Sequence, residues 1–359
     1  MIIKTKVFNE NAKLINHLWN KSEGVYGGIY FDFSNKMAYL NIGTNKNDVK
    51  GKARFSFEFS GDSPKNFFVE SSKFLSLASL YDELNYDSKQ ECFFHGKDKF
   101  KIEFIVPTDE VDTSIFDIPT EPENSFSDDQ IKILNKAKHF TTQVPEANPV
   151  FKTIFSTGQS IFSMFDNQLF ECKVSLPEMK MGNSSYEIIS ILGNDSKFGF
   201  YDNFIFIKND CTEVMIPNNS AVEAPPIDTD NFVQSYHHNT YFTLGKDELQ
   251  EIIKFLEIYY KENESKNNTL HFMKDVEENE LKIESTTTKD SILRTIGLID
   301  SNIDTMDFYV DALKLKLAAS IIESPFIKFR WCSDKYGIEV TGIEDETETD
   351  YHVIFSYMK

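Results

Sequence analysis

Arginine is nearly absent from this 359-residue chain, which contains only Arg54, Arg294 and Arg330. The four cysteines are far apart and form no C-x-x-C pair, which argues against a zinc ribbon or a redox pair and favours reduced thiols. No stretch approaches the roughly 20 apolar residues of a membrane helix, and the first residues lack the apolar core of a signal peptide. The sequence therefore predicts a soluble cytoplasmic protein without a membrane partner.

The motifs of common enzyme classes are also missing. No G-x-G-x-x-G follows a strand, no G-x-S-x-G is present, and the span from Gly43 to Gly51 is too long for a phosphate loop. His237 and His238 could bind a metal, but no acidic or cysteine partner stands at ligand spacing. These absences predict a protein that is not an enzyme, with no catalytic residues, no cofactor and no metal.

The chain does contain one pattern three times, at intervals of about 120 residues, which is the length of a domain. Each copy has a strand-like start, a helix-like stretch and two or three alternating strands. The copies are anchored at Phe68, Tyr186 and Phe308, in the segments FFVESSKFLSLASL, YEIISILGNDSKFGFYDNFIFIKND and FYVDALKLKLAASII. This repeat predicts that the whole chain is built from three similar domains.

A similar half-unit of helix and strands precedes each copy, so the predicted fold class is α+β with two half-units per domain. These preceding half-units start at Ile2, Phe126 and Tyr241. Proline-containing segments separate the sheets, because proline lacks an N–H group and cannot sit in a central strand. The predicted domains are residues 1–122, 123–232 and 233–359.

Four local predictions accompany this division. Ile2–Phe8 is expected to be a strand, with Asn9 capping the helix that follows. Lys246–Glu262 is expected to be a helix. Tyr186–Leu192 leaves barely two helical turns before a glycine, which indicates a degenerate second half of the middle domain. The acidic run Glu344–Asp350 is typical of a solvated hairpin tip.

Lysine and histidine residues recur on the predicted helices. Lys13, His17 and Lys21 fall at i, i+4 and i+8, on a stripe opposite the apolar face of the first helix. One such stripe is usual on a solvated face, but its repetition favours a shared basic surface that contacts phosphates without reading bases. The net charge of −20 allows this, because binding responds to the nearby field. The predicted DNA-facing residues are Lys13, His17, Lys21, Lys73, Lys132, Lys136, Lys138, His139, Lys254, Lys314 and Lys316.

Six helix-plus-strands half-units with basic helices in an acidic chain resemble the DNA polymerase sliding clamp, in particular the bacterial type. Short echoes carry the resemblance: FFVESSKFLSLASL as the second helix, GKDKFKIEFIVP closing the first domain, GKDELQEIIKFL opening the third, and YHVIFSYMK at the end. The resemblance implies three repeated DNA-clamp domains per chain and a closed ring with helices inside and sheets outside. Two chains would close this ring as a head-to-tail homodimer.

The same resemblance implies a function. The ring would be a processivity factor that encircles double-stranded DNA without sequence preference and tethers the DNA polymerase. An ATP-dependent clamp loader would open it. The divergence of the sequence is typical of a phage version, which would act in the host cytoplasm.

Two protein-contact sites are implied as well. Partners of bacterial clamps insert a short hydrophobic peptide into a groove between the second and third domains and under the C-terminal tail. This sequence has Asn167-Gln168-Leu169 in place of the Gly-His-Arg turn of that groove, which predicts a different peptide. The matching groove residues are Val150, Phe165, Asn167, Leu169, Phe170, Phe355, Ser356, Tyr357 and Met358. Core packing is an equal alternative for Phe165 and Phe170. The matching ring-interface residues are Phe100 and Ile102 on one side, and Ile258 and Tyr259 on the other.

Two other classes of protein remain open. A repeated β-rich virion or tail structural protein would explain the 33 phenylalanines, but it would not explain lysine stripes on repeated helices. An enzyme with a site assembled from scattered residues is the second alternative. The mass in solution separates the first alternative from the clamp, which is expected to be a stable dimer.

Overall fold

The structure is a computed structural model. It describes residues 1–359 except 44–50, 119–120, 142–147, 166–167, 194–195, 202–203, 219–221, 238–239, 263–268, 277–278, 287–290, 333–335 and 358–359, and it leaves the side chains of 183–185, 255–262, 286 and 332 undescribed. The chain divides into two compact units. The first unit comprises residues 1–131 and 181–220, and the second comprises residues 132–180 and 221–359.

The described helices are α1 (Lys6–Glu10), α2 (Ala12–Leu18), α3 (Ser71–Ala78), α4 (Asp128–Thr141), α5 (Asn183–Leu192), α6 (Thr229–Gln234), α7 (Lys246–Glu262) and α8 (Ala312–Ile321). Two further segments, Lys21–Gly27 and Ser114–Phe116, form 3-10 turns.

The first strands are β1 (Ile2–Lys4), β2 (Ile29–Asp32), β3 (Met37–Leu40), β4 (Lys52–Ser56), β5 (Phe59–Ser60), β6 (Phe67–Val69), β7 (Glu83–Asp87), β8 (Cys92–His95), β9 (Asp98–Phe100), β10 (Phe104–Ile105) and β11 (Asn124–Ser125). The next are β12 (Thr153–Ser156), β13 (Ser160–Phe165), β14 (Gln168–Lys173), β15 (Met179–Gly182), β16 (Lys197–Tyr201), β17 (Phe204–Lys208) and β18 (Thr212–Pro217). The last are β19 (Thr240–Gly245), β20 (Thr269–Lys274), β21 (Glu280–Thr286), β22 (Ser291–Gly297), β23 (Asp300–Ser301), β24 (Met306–Asp311), β25 (Phe326–Cys332), β26 (Gly337–Glu344) and β27 (Thr347–Ser356).

The first unit contains a five-stranded sheet, β5-β1-β7-β8-β9, and a nine-stranded sheet, β10-β6-β2-β3-β4-β18-β17-β16-β11. The nine-stranded sheet joins distant parts of the chain, because Ala53 of β4 pairs with Val214 of β18. We call it the first long sheet. Its central pair, like the others described in this unit, is antiparallel.

The second long sheet has the order β15-β12-β13-β14-β27-β26-β25-β19-β23. Here Phe170 of β14 pairs with Val353 of β27, so the central pair again joins distant segments. A four-stranded sheet, β22-β21-β20-β24, completes the second unit. The predicted middle domain, 123–232, contributes strands to both units, with β16 to β18 in the first and β12 to β14 in the second. The predicted domain boundaries stay a prediction.

Phenylalanine rings fill the core of the first unit. The ring of Phe8 has its centroid 5.4 Å from Phe31, 5.4 Å from Phe55 and 5.0 Å from Phe74. This packing corrects the predicted strand Ile2–Phe8, because the extended chain ends at Lys4 and Phe8 reaches the core from α1. Aromatic burial at this site overrides the strand-like run of apolar residues.

Three other local predictions have clear outcomes. Helix α7 spans Lys246–Glu262 as predicted. The acidic hairpin is also confirmed, since Asp345 and Glu346 form a turn between β26 and β27 with φ of 48° and 64°. The predicted helix Tyr186–Leu192 was too short, because α5 already begins at Asn183. No helix in the described part of the chain is long and apolar enough to cross a bilayer.

Candidate functional site

An apolar groove lies on one face of the second long sheet, where α6 and the segment around it cover the strands. It has a volume of about 390 Å³. Its lining residues are Met164, Gln168, Leu169, Ile227, Phe232, Tyr236, Tyr336, Gly337, Ile354, Phe355 and Ser356. We call this cavity the open groove. A concave, mostly apolar site of this size is suited to a few anchor side chains of a partner peptide.

Strand register builds the floor of the open groove. Leu169 on β14 lies directly opposite Ile354 on β27, so both side chains project from the same face. On the next strands, the rings of Phe155 and Phe162 stack with centroids 5.1 Å apart. Val150 and Met164 pack against this cluster from its edge. The floor is therefore a continuous apolar surface rather than a set of isolated contacts.

Helix α6 provides one wall of the open groove. Asp228 caps this helix by accepting a hydrogen bond from the Asn231 amide. Phe232 and Tyr236 pack against each other at 5.8 Å between ring centroids. Tyr236 also approaches the sheet very closely, because a Cβ atom at Gly337 would lie 2.4 Å from its hydroxyl. Glycine at this position lets the wall sit on the strand.

The structure brings some of the predicted groove residues together. Leu169, Phe355 and Ser356 line the open groove, and Val150 packs against its floor. Tyr357 is buried beside it, with its ring 5.1 Å from Phe308 and 6.0 Å from Tyr336. Asn167 and Met358 lie outside the described residues.

Phe165 and Phe170 lie elsewhere. Phe170 is fully buried, and its ring is 6.4 Å from Phe140 of α4, which places it in the core behind the sheet. This corrects its assignment to the groove, because adjacent strand residues point to opposite faces and Leu169 already points into the groove. Phe165 lines a second cavity of about 600 Å³ with His139, Gln168, Asp311, Leu313, Lys314, Lys316, Leu317 and Ser320.

Sequence reasoning missed Ile227, Phe232, Tyr236, Tyr336 and Ile354. A usable signal existed for part of this set, since Phe232 and Tyr236 stand four residues apart after a proline-rich segment and share one helix face. Ile354 could have been inferred from strand alternation with its neighbours. Tyr336 carries no such signal, because only the fold brings the start of β26 to the groove.

Most of the predicted DNA-facing side chains reach solvent. Those of Lys13, Lys21, Lys73, Lys132, His139, Lys254 and Lys316 are exposed, and those of His17, Lys138 and Lys314 are partly exposed. His17 Nδ1 lies 2.9 Å from Glu187 Oε2, where α2 packs on α5. Lys314 Nζ donates to Ser356 Oγ at 3.1 Å, and Lys73 Nζ is 3.5 Å from Glu70. In the second unit, His139, Lys314 and Lys316 share the second cavity.

Lys136 is the exception among these residues. It is only 8% exposed, and its ammonium group donates to the Ile321 carbonyl at 2.6 Å. The same nitrogen lies 3.4 Å from Glu323 and 4.6 Å from the ring centroid of Tyr351. Burial lowers the pKa of Lys136. This side chain joins α4 to the end of α8, which counts against a DNA-facing role.

The predicted ring-interface residues differ in their surroundings. Phe100 ends β9, the outermost strand of the five-stranded sheet, and its ring is 5.7 Å from Tyr81. Ile102 lies beyond the end of β9 and is buried. Ile258 and Tyr259 belong to α7, but their side chains lie outside the description. In the second unit β22 is also an outermost strand, and its Leu293 is exposed.

The fold over the full chain is that of the bacterial DNA polymerase III β subunit, the sliding-clamp fold, as the sequence resemblance predicted. The β subunit from Thermotoga maritima has a TM-score of 0.77 at 11% identity, and the match covers 100% of this chain and 98% of that one. A putative β subunit from Eubacterium rectale gives 0.78 at 13% identity, with 100% and 99% covered. The Helicobacter pylori β clamp bound to a DNA ligase peptide gives 0.73 at 14%, with both chains fully covered.

These likenesses are structural, and identities this low show the fold alone. Neither a family model nor a curated protein sequence matches the chain. The mixed helix and sheet class predicted from the sequence is confirmed at this level. The closed ring and the number of domains stay predictions.

Proposed function

We propose that this chain is a DNA polymerase processivity factor, a ring-shaped sliding clamp that encircles duplex DNA and tethers the polymerase. The observation that carries the proposal is the sliding-clamp fold, which covers the whole of this chain and at least 98% of the structures it resembles. A tether of this kind works by topology, so it needs no catalytic residue, cofactor or metal. Clamps of phage origin would act in the host cytoplasm, opened by an ATP-dependent loader.

Ring closure would join two chains of three domains each, head to tail. The two outermost strands, β9 and β22, support this assembly, because an outermost strand presents unpaired N–H and C=O groups to a second strand. Phe100 on β9 and Leu293 on β22 would provide apolar contacts beside such a pairing. Ile258 and Tyr259 stay predicted members of this interface.

The exposed lysines on helices would face the DNA. Lys13, Lys73 and Lys132 lie on α2, α3 and α4, where their ammonium groups can reach phosphates without contacting bases. Weak, sequence-independent contacts of this kind hold DNA while allowing movement along it. Lys136 is left out of this set because its buried ammonium group donates a hydrogen bond to the Ile321 carbonyl in the second unit.

The open groove would take the peptide by which partners attach. The H. pylori clamp with the related fold binds a DNA ligase peptide. Here Leu169, Ile354 and Phe232 offer the apolar surfaces that anchor residues of such a peptide need. The DNA polymerase would attach in the same way. The fold gives no support to a repeated β-rich virion or tail protein.

Topological retention on DNA tests the proposal. The protein is loaded onto nicked circular plasmid with a bacterial clamp loader and ATP, and the complex is isolated by gel filtration. We expect retention on the circle and loss within minutes after a restriction enzyme linearises it, because a ring slides off free ends. Retention that survives linearisation would mean ordinary surface binding and would contradict the clamp function.

Charge reversal distinguishes a specific role of the helix lysines in DNA binding from a general effect of net charge. Lys13→Glu, Lys73→Glu and Lys132→Glu combined should reduce loading by at least tenfold and flatten its salt dependence. The matched control is Lys36→Glu, Lys89→Glu and Lys197→Glu, three exposed lysines outside the predicted set with the same change in net charge. Equal loss in both triple variants would remove the assigned DNA-facing surface.

A further inference from the structure

Two histidines and a glutamate from distant parts of the chain meet on the covered face of the second long sheet. His352 Nδ1 is hydrogen-bonded to Glu339 Oε1 at 2.7 Å, and His237 Nε2 lies 3.6 Å from the same oxygen. The possible ligand atoms of all three residues lie within 4.8 Å of one another. Glu339 is 0% exposed and His352 is buried, whereas the side chain of His237 is 37% exposed.

The strand register explains this meeting. Glu339 on β26 pairs with Ile354 on β27, and His352 stands two residues before Ile354, so Glu339 and His352 share one face. His237 follows α6 and approaches from the covering segment, with its ring centroid 5.9 Å from that of His352. Two ligands are therefore held by a rigid sheet, and the third reaches them from the solvent side.

Two buried carboxylates and one buried cation, with a partly buried ion pair beside them, lie in this cluster. Arg330 Nη1 lies 3.4 Å from Glu339 Oε2, and the same guanidinium is hydrogen-bonded to Glu348, which also accepts from Lys328 at 2.9 Å. Glu171 adds a third carboxylate directly across β27, where it pairs with His352. Within the described part of the chain, neither oxygen of Glu171 has a hydrogen-bond partner, although it is 1% exposed.

Two buried carboxylates, Glu339 and Glu171, lie beside one buried cation, Arg330, whereas the side chain of Glu348 is 30% exposed. A buried charge without a partner is strongly unfavourable, so this arrangement is costly unless Glu171 takes up a proton or another positive charge is present. A divalent ion beside Glu339 and His352 would supply the missing positive charge. The excess of buried carboxylate is a second observation, independent of the distances among the three ligands.

We propose that His237, Glu339 and His352 bind a divalent transition-metal ion of the zinc type, with a fourth position open to water. Two imidazole nitrogens and one carboxylate oxygen favour zinc over magnesium or calcium, which prefer oxygen ligands. Ligand atoms in a tetrahedral zinc site are separated by about 3.3 Å. Against about 3.3 Å, the separation of 2.7 Å between His352 and Glu339 needs to grow by about 0.6 Å. The separation of 3.6 Å between His237 and Glu339 needs to shrink by about 0.3 Å, which the partly exposed His237 can accommodate.

Arg330 assists this geometry from behind. Its contact with Glu339 Oε2 leaves Oε1 as the oxygen directed at both histidines, and such outer contacts commonly orient a metal ligand. The ion would fasten the segment after α6 to β26 and β27. Tyr236, which precedes His237 and forms a wall of the open groove, would be fixed by the same bond. The site itself does not depend on the clamp function.

Metal binding to the full chain tests the proposal directly. The protein is stripped with a chelator, desalted, and titrated with Zn²⁺ by calorimetry and with Co²⁺ by visible absorption, which reports tetrahedral coordination by nitrogen and oxygen. We expect one ion per chain, a tetrahedral cobalt spectrum and an increase in Tm. Mg²⁺ should produce none of these changes. The absence of a cobalt spectrum, or equal binding of Mg²⁺, would leave only a hydrogen-bonded triad and overturn the site.

Matched variants assign the ligands. His237→Ala and Glu339→Gln should each weaken Zn²⁺ binding at least 100-fold and abolish the cobalt spectrum. His237 is partly exposed, so its variant is expected to fold, and circular dichroism with the Tm of the stripped protein verifies this. His139→Ala removes an exposed histidine of the same unit outside the cluster and should bind like the unaltered chain. Equal weakening by His139→Ala would indicate scattered surface binding and refute the assignment.

Discussion

Both long sheets have nine strands and a central pair that joins distant segments, but the apolar surface beside the first is buried and that beside the second is open. In the first unit, the segment after β10 folds back on the sheet, and Phe116 packs 5.8 Å from Tyr39 with Arg54 5.1 Å above its ring. In the second unit, the segment around α6 leaves the open groove uncovered. The difference shows that the covering segment, not the sheet, decides whether an apolar surface becomes buried core or an open groove.

One aromatic side chain in each unit summarises the contrast. Phe116 is 2% exposed and belongs to a buried cluster with Tyr39, Phe206 and Met215. Phe232 is 38% exposed and forms the rim of the open groove. The cavity that remains in the first unit has charged groups in its lining, including Arg54, Asp117, Glu121 and Glu213. Between these two cavities, the open groove is therefore the one suited to an apolar peptide.

The largest expected effect concerns the filled surface. Phe116→Ala should destabilise the first unit by about 3–5 kcal/mol, because it removes a fully buried ring and leaves a cavity. Urea unfolding can follow each unit separately, since Trp19 lies in the first and Trp331 in the second. Single-tryptophan variants, with the other tryptophan replaced by Phe, isolate the two signals.

The matched change in the open groove should behave differently. Phe232→Ala should alter the Trp331 transition by less than about 1 kcal/mol, because the ring is already partly in water. Similar losses of stability from both substitutions would show that the two surfaces are equally part of the core, and the comparison would fail.

The buried carboxyl group of Glu171 provides a second comparison, because its titration should affect the stability of the second unit and not that of the first. Burial raises the pKa of Glu171 to about 7, although His352 and Lys173 favour its charged form, and Asp230 opposes it. Its folded pKa exceeds the unfolded value of 4.5, so the stabilising contribution is present below 4.5 and is lost as pH rises through 7. Glu171→Gln removes this loss.

Glu171→Gln should therefore stabilise the second unit relative to the unaltered chain as pH rises. The difference in the free energy of unfolding between the variant and the unaltered chain is expected to grow by about 2 kcal/mol between about pH 5.5 and 8.5. This follows from about 1.4 kcal/mol per pKa unit. Urea titrations at several pH values, with chelator present, measure it through Trp331. The Trp19 transition should not change. A pH-independent difference would show that the carboxyl group is not titrating in this range.

Peptide binding sharpens the comparison at a smaller scale. Phe232→Ala should weaken binding of a fluorescent DNA ligase peptide about tenfold or more, because it removes one apolar wall of the groove. Fluorescence anisotropy gives the Kd. Ile118→Ala, on the segment that covers the first long sheet, serves as the control and should leave the Kd unchanged. If Ile118→Ala weakens binding as much as Phe232→Ala does, the peptide does not distinguish the open groove from the covered surface of the first long sheet.

A small effect is expected at the charged cavity of the first unit. Arg54 Nε donates to Glu213 Oε2 at 2.5 Å, and Lys208 lies 3.3 Å from the other Glu213 oxygen. Glu213→Gln keeps the shape and removes the charge, so we expect a loss of about 1 kcal/mol in the Trp19 transition. Peptide affinity should not change. A loss as large as that of Phe116→Ala would mean that charge, not the ring, holds the covering segment.

Periodicity in the sequence was enough to predict the helix α7 and the acidic hairpin, because both depend on local patterns. The family resemblance was needed for Leu169, Phe355 and Ser356, which come together only through strand pairing. Phe8 could not be placed correctly, because a core of surrounding rings, not local preference, draws it into a helix. Local spacing alone cannot reveal such tertiary effects.

The same limit applies to charged residues. Lys136 occupies a polar position of α4 and has the pattern of an exposed lysine, yet the end of α8 covers it, and the Ile321 carbonyl accepts a hydrogen bond from its ammonium group. His237 is far in the chain from Glu339 and His352, which are themselves brought together by the register of β26 and β27. Glu171 gives no sign in the sequence that it lacks a hydrogen-bond partner. Each case requires the packing of an element distant in the chain.

The late partners of the central strands have a consequence for synthesis on the ribosome. β4 must wait for β18, and β14 must wait for β27, before either long sheet can be completed. Until then each waiting strand offers an open hydrogen-bonding edge to neighbouring nascent chains, which favours aggregation and slow folding. We expect an isolated fragment of the predicted middle domain to be unstable, because β14 and β18 would lack their partners β27 and β4. We therefore expect folding during translation to benefit from chaperones that cover these unpaired strand edges.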